Sequence, residues 1–140
     1  MQSLRKVVWS GGILMVLGAL HLAITVALSA RHVPGWLARD LWLGDDPDLD
    51  MSSLPPEAGG FWLSYGSFGL PLLLLGALVR HLGRRGQAAP AFIGWGVGVW
   101  AALGAYLIEP TPFLLALIPA AMIVAAARQR TAVPATAPTA

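Results

Sequence analysis

The chain contains no cysteine among its 140 residues. That excludes a disulfide framework, a thiol redox pair and any thiolate metal site. Charge is scarce as well: 11% of residues are charged, against about 25% in an ordinary soluble domain. Lysine occurs once, as Lys6, beside eight arginines. The arginines stand in ones and twos beside apolar runs and form no basic helix face, so the sequence implies no nucleic-acid partner. The three histidines are His21, His32 and His81. They lie in separate segments, and no metal site follows from them. No phosphate-binding loop, dinucleotide fingerprint or nucleophile elbow is present, and no cofactor is implied.

What the chain has in quantity is apolar sequence. Hydrophobic residues make up 56% of it, and the mean hydropathy is +0.68. These values place it in the membrane class, as a single all-α domain over residues 1–130. Four apolar runs stand out, at about 7–28, 61–79, 90–108 and 113–127. The first would be about 33 Å long as a helix, and the second and third just meet the roughly 30 Å hydrocarbon core. The fourth is short, with Pro112 in its first turn and Thr111 placed to cap it. All seven carboxylates fall between Asp40 and Glu57 or at Glu109. Seven of the nine basic residues lie on the opposite side of the runs: Arg5, Lys6, Arg80, Arg84, Arg85, Arg128 and Arg130. Positive charge is retained in the cytoplasm, so four crossings with both termini cytoplasmic are expected, in a cell (inner) membrane. The arginine, alanine, glycine and proline bias agrees with a GC-rich bacterial source. The first run exceeds the 7–15 apolar residues of a signal peptide and is read as a retained span. The Ala/Pro/Thr-rich tail, 131–140, is expected to be disordered.

Helical spacing sorts the polar and small residues. Gly11, Gly18, His21, Thr25 and Leu28 share one stripe of the first run; Gly60, Ser64, Ser67 and Pro71 share one in the second. In the third, Gly94, Gly98, Ala101, Ala102, Ala105 and Glu109 do so. Small residues allow helices to approach closely in lipid, so Gly11, Gly18, Gly94, Gly98 and Ala102 are expected at helix contacts. Counting rise places His21, Ser67 and Trp100 about 9–12 Å below the outer helix ends. Thr25, Ser64, Tyr106 and Glu109 complete a candidate outer-leaflet pocket. An intramembrane ionisable residue is a functional candidate by default, although a histidine bonded to a serine also serves packing alone. Pro71 and Pro119 are expected to kink their helices.

Residues 31–60 form the long outer loop. Its first half, Gly35 to Leu43, reads as a short interfacial helix, with Trp36 and Trp42 at headgroup level and Trp62 at the next span's mouth. Its second half carries Asp46, Asp48, Asp50 and Glu57 at four ligand positions of a calcium-binding loop. The sixth position, which needs glycine, is Met51, and Pro55-Pro56 interrupt the exit helix. A cation site is therefore not expected there.

Gly18-Ala-Leu-His21, Gly35-Trp36, Phe61-Trp62-Leu-x-x-Gly66 and Gly94-Trp95-Gly96 together resemble an uncharacterised family of small bacterial four-helix integral membrane proteins. The resemblance extends nearly to Arg130 and implies a four-helix bundle and a membrane location, but no activity. Small multidrug transporters resemble the chain poorly, because its first span holds no carboxylate. The leading expectation is a non-catalytic accessory or scaffold protein, in contact with the lipid bilayer and with copies of itself or a partner membrane subunit. The alternative is a small membrane enzyme or a binder of a lipophilic ligand acting through His21. The third is a proton-coupled carrier.

Overall fold

A computed structural model of the chain describes residues 2–39, 41, 55–108 and 111–131. It is all-α, with no strand among the described residues. Helix α1 runs from Gln2 to Leu28, a proline-free segment of 27 residues. A 3₁₀ turn, Ala30–His32, leads into α2, Val33–Ala38. Then come α3 (Pro56–Leu63), α4 (Gly69–Arg84), α5 (Ala91–Leu107), a 3₁₀ stretch at Pro112–Ala116 and α6 (Leu117–Thr131). The chain divides into two compact units, one of Met1–Val16 with Leu73–Ala140 and the other of Leu17–Leu72.

The first unit is built on backbone contact between α1 and α4. A Cβ added to Gly11 would strike the backbone of Arg80 and, at 2.7 Å, the carbonyl of Gly76. One added to Gly76 would meet the Met15 nitrogen at 2.5 Å and the Gly11 carbonyl at 2.7 Å. Gly83 sits as closely against Val7 and Val8. Glycine at these positions lets two helix backbones touch, which maximises dispersion contact where lipid removes any hydrophobic drive. A second seam joins α5 to α6, where Gly94 faces the Ala120 carbonyl and Val124. Leu14, Val79 and Ile123 are fully buried in this unit. The turn after α4 closes with Gly86 at φ 75°. There Gln87 N–H reaches Leu82 O and Gly86 N–H reaches Gly83 O, the paired bonds of a glycine C-cap.

Several expected boundaries are corrected. The second apolar run is not one helix over 61–79; it breaks at Ser64–Phe68 between α3 and α4. The cause is local. Ser64 Oγ donates to Gly60 O at 2.7 Å, Gly66 N–H reaches back to Phe61 O, and Pro71 has no amide to continue an upstream ladder. Pro71 lands in the first turn of α4, and Pro119 in the first turn of α6. At Pro71 a first-turn proline displaces no bond within α4, whereas Pro119 follows the 3₁₀ stretch without a gap, so its missing amide falls inside a continuous helical segment. The fourth run is longer than 113–127: the 3₁₀ stretch and α6 together reach Thr131. Thr111 Oγ1 accepts from Phe113 N–H at 3.3 Å at its start. The interfacial segment is helical over Val33–Ala38 and closes at Arg39, which adopts φ 71°. Trp42, Glu109, the Asp46–Asp50 run and residues 132–140 of the expected tail lie outside the described residues.

Among the described residues, two helical stretches are long and apolar enough to cross a membrane, Gln2–Leu28 and Pro112–Gln129; α5 is apolar but shorter. Large apolar side chains stand exposed at helical spacing: Val16, Leu20, Ile24 and Leu28 on α1, and Phe92, Trp95, Val99 and Leu103 on α5.

The glycine contacts make a sharp test. Gly11→Ala and Gly76→Ala are expected to cost about 1–3 kcal/mol each, since neither helix backbone can yield. Gly96, whose added Cβ meets nothing within 4 Å, should accept alanine neutrally or with a gain of up to about 1 kcal/mol. Thermal unfolding of the detergent-solubilised protein, followed by circular dichroism, reads all three. Equal losses at Gly11 and Gly96 would refute the seam.

Candidate functional site

The second unit contains the polar residues that helical spacing had grouped. His21 Nε2 lies 3.1 Å from Ser67 Oγ. Ser67 stands in the break between α3 and α4, where its hydroxyl donates to Ser64 O. The same oxygen accepts from Gly69 N–H at 3.3 Å, satisfying one of the orphan amides that open α4. With the serine proton committed to a carbonyl, the contact with His21 requires Nε2–H to donate to Oγ. That direction is opposite to the one a catalytic pair needs, in which a bare ring nitrogen takes the serine proton. The pair therefore clasps α1 to the helix break. Gly69 confirms how close the clasp is, because an added Cβ would meet the His21 ring at 2.8 Å and Leu22 at 2.9 Å.

The other hydroxyls are spent in the same manner. Thr25 Oγ1 donates to His21 O at 2.8 Å. Ser64 and Ser29 both donate to Gly60 O, at 2.7 and 3.2 Å. Ser64 and Thr25 are buried, whereas the His21 ring is exposed. Each serine or threonine hydroxyl in the candidate pocket thus satisfies a backbone carbonyl and offers no proton to a ligand. Among the described residues no buried side-chain polar atom lacks a partner, and no group of three or more potential metal ligands occurs.

Trp100 and Tyr106 belong to α5, in the first unit. Trp100 meets Phe113 edge-on with ring centroids 4.7 Å apart, and Gly104 leaves room for that Phe113 ring. Tyr106 is 85% exposed. Of the small residues, Gly11 and Gly94 make backbone contacts, Gly18 is buried, Gly98 stands at ordinary distance from Ala120, and Ala102 is exposed. Gly69, Gly76, Gly83 and Gly104 escape a stripe-based reading, although Gly69, Gly76 and Gly83 recur every seven residues and had offered that signal.

Near the end of α1, a cluster joins α2 to α3 within the same second unit. Trp36 Nε1–H donates to Glu57 O at 2.9 Å, and its ring lies edge-on to Phe61 and Tyr65 at 6.0 and 6.1 Å. Trp36 is thus a packed anchor between elements, while Trp62 is 60% exposed. Arg31 Nε–H donates to His32 Nε2 at 3.0 Å, so the His32 proton resides on Nδ1. That nitrogen faces Glu57 Oε1 at 3.8 Å. Gly60 accommodates the His32 ring, which an added Cβ would approach to 2.9 Å.

The clasp predicts an order of effects. Ser67→Ala removes a capping acceptor and the histidine's partner together, and is expected to cost about 1 kcal/mol or somewhat more. His21→Asn, which loses only the exposed half of the interaction, should cost less. Thermal melts in one detergent compare them, and a larger loss for His21→Asn would contradict the ranking of the Ser67 cap above the histidine contact.

No curated protein and no solved structure matches the chain. One family does match, over residues 5–130, and it is described as a family of unknown function. Coverage of this extent settles membership: the chain belongs to the DUF6463 family, whose function is unknown.

Proposed function

We propose that the chain is a multi-pass inner-membrane protein that crosses the bilayer four times, keeps both termini in the cytoplasm, and acts without catalysis as an accessory or scaffold subunit. The distribution of basic residues supports the orientation, with seven on the inner side and only Arg31 and Arg39 outside. Exposed apolar stripes on α1 and α5 support contact with lipid, since water rarely meets contiguous surfaces of that kind. The second crossing is the broken pair α3–α4, and broken helices are tolerated at membrane depth where protein packs against the break. The observation that carries the non-catalytic reading is the use of the hydroxyls. Thr25, Ser64 and Ser67 all donate to main-chain carbonyls, and His21 Nε2 lies against the Ser67 oxygen. Residues bonded in this way set helix geometry and leave no activated nucleophile.

A second reading, a binder of a lipophilic molecule, draws on the position of His21 beside a discontinuous helix, an arrangement that ligand sites in membranes reuse. Replacement by leucine separates the two. A scaffold retains its partners and stoichiometry in His21→Leu, as read by crosslinking and native mass spectrometry; a binder loses a co-purifying small molecule.

The topology has a clean test because the chain has no cysteine of its own. Single cysteines at the exposed positions Ala38, Gln87 and Gln129 are probed with a membrane-impermeant maleimide on right-side-out preparations. Ala38→Cys is expected to label directly, and Gln87→Cys and Gln129→Cys only after permeabilisation. Labelling of Gln87→Cys and Gln129→Cys from opposite sides would overturn the four crossings.

A further inference from the structure

Arg80 lies one turn before the end of α4. Its backbone packs on Gly11, and its side chain crosses α1 beside that contact. A Cβ added to Gly12 would meet Arg80 Nη1 at 3.0 Å, so the guanidinium takes up the room that a side chain at position 12 would fill. Gly12 stands about 7.5 Å along the helix from Val7, where the apolar run of α1 begins. A cation held at that depth is a functional candidate. Nothing in the first unit neutralises it: no carboxylate occurs among the described residues of that unit. Among the described residues, no hydrogen bond or ion pair takes up the side chain of Arg80, Arg84 or Arg5. No buried side-chain polar atom among them lacks a partner, so the unbonded donors of Arg80 stay open to its surroundings.

The neighbours of Gly12 show what those surroundings are. Trp9 and Val16 share its face of α1 and are 62% and 64% exposed, so the guanidinium lies on the side of the helix that meets lipid. Arg84, four residues after Arg80, and Arg5, seven before Gly12, continue the same faces towards the helix ends, and both are exposed. Gly83, packed on Val7 and Val8, holds those ends together. One guanidinium therefore sits deep and two sit at the rim of a single side of the α1–α4 pair. Arginine forks match phosphate oxygens bidentately.

We propose that Arg80, Arg84 and Arg5 form a headgroup site for an anionic phospholipid of the cytoplasmic leaflet, its phosphate drawn to Arg80 over Gly12 and its acyl chain running past Val16. The site rests on the membrane reading above, in which these ends of α1 and α4 lie at the inner surface. An acidic segment of a soluble partner is the competing occupant. Depth decides against it, because such a segment would have to carry its carboxylates below the headgroups, whereas a phospholipid reaches Gly12 from the lipid side.

Native mass spectrometry of the full chain, released from nanodiscs holding equal amounts of phosphatidylglycerol and phosphatidylcholine, tests the site. Wild type is expected to retain phosphatidylglycerol preferentially, and Arg80→Gln to lower that preference about fivefold, the weight of one basic residue acting on an anionic membrane lipid. Arg80→Lys should preserve most of it. Gly12→Leu, which displaces the guanidinium without altering charge, should lower it as Arg80→Gln does, with circular dichroism showing that the variant is folded. Arg128→Gln, on α6, should change nothing. Equal losses in Arg80→Gln and Arg128→Gln, or an unchanged preference in both Gly12→Leu and Arg80→Gln, would overturn the proposal in favour of diffuse surface attraction. Loss of the preference in inorganic phosphate but not in chloride of equal ionic strength would overturn it in favour of a free anion. The cysteine-labelling pattern is an independent readout, so correct topology without lipid preference condemns the headgroup site alone.

Discussion

Backbone contact between α1 and α4 is the constraint on which the first unit depends. Gly11 and Gly76 face each other so closely that each would drive a methyl group into the other's carbonyl. Where lipid surrounds both helices, apolar side chains gain little by leaving it, so association must come from dispersion at short range. Glycine costs helix stability elsewhere. Here that cost is offset because the close approach is possible with no other residue. Gly94 repeats the device against Ala120 and Val124.

Polar chemistry in the second unit is directed inward to the backbone. Gly60 O accepts two hydroxyls, and Ser67 both donates to and accepts from the main chain around the helix break. A break in a helix strands donors and acceptors that must find partners in a low-dielectric setting. Serine and threonine at these positions satisfy them locally. His21 then acts on a site that is already saturated, which is why its contact with Ser67 reads as a clasp. The Trp36 cluster behaves alike, spending its one donor on Glu57 O.

Much of the helical layout was legible in residue pattern alone. Apolar runs located α1, α5 and α6, and the Thr111-Pro112 pair marked where the last of these segments begins. The break at Ser64–Phe68 was not read, although Ser64, Gly66, Ser67 and Gly69 are the residue types that mark turns and helix breaks. The decision rested on side-chain bonds of Ser64 and Ser67, which compete with the helical ladder only when the chain is folded. Pro71 carried a signal for the break, but a proline marks a kink and a helix start with the same letter. Within the candidate site, the meeting of His21 with Ser67 followed from depth arithmetic. Trp100, grouped with them by depth, belongs to the first unit, where its ring meets Phe113 edge-on. Stripe logic did not extend to Gly69, Gly76 and Gly83, although their spacing of seven, the same as that of Gly11 and Gly18, places them on one face.

The winding of the last segment has a mechanical consequence. Its first five residues, Pro112–Ala116, are 3₁₀ rather than α, and a 3₁₀ helix rises about 2.0 Å per residue against 1.5 Å. Those residues therefore gain roughly 2–3 Å of reach over the same sequence wound as α-helix. A segment that looked too brief for a bilayer is stretched at one end, much as a partly drawn spring covers more distance with the same wire. Rewinding that turn as α-helix would shorten the rod by the same amount, and Phe113, whose ring meets Trp100, lies within the turn that would rewind.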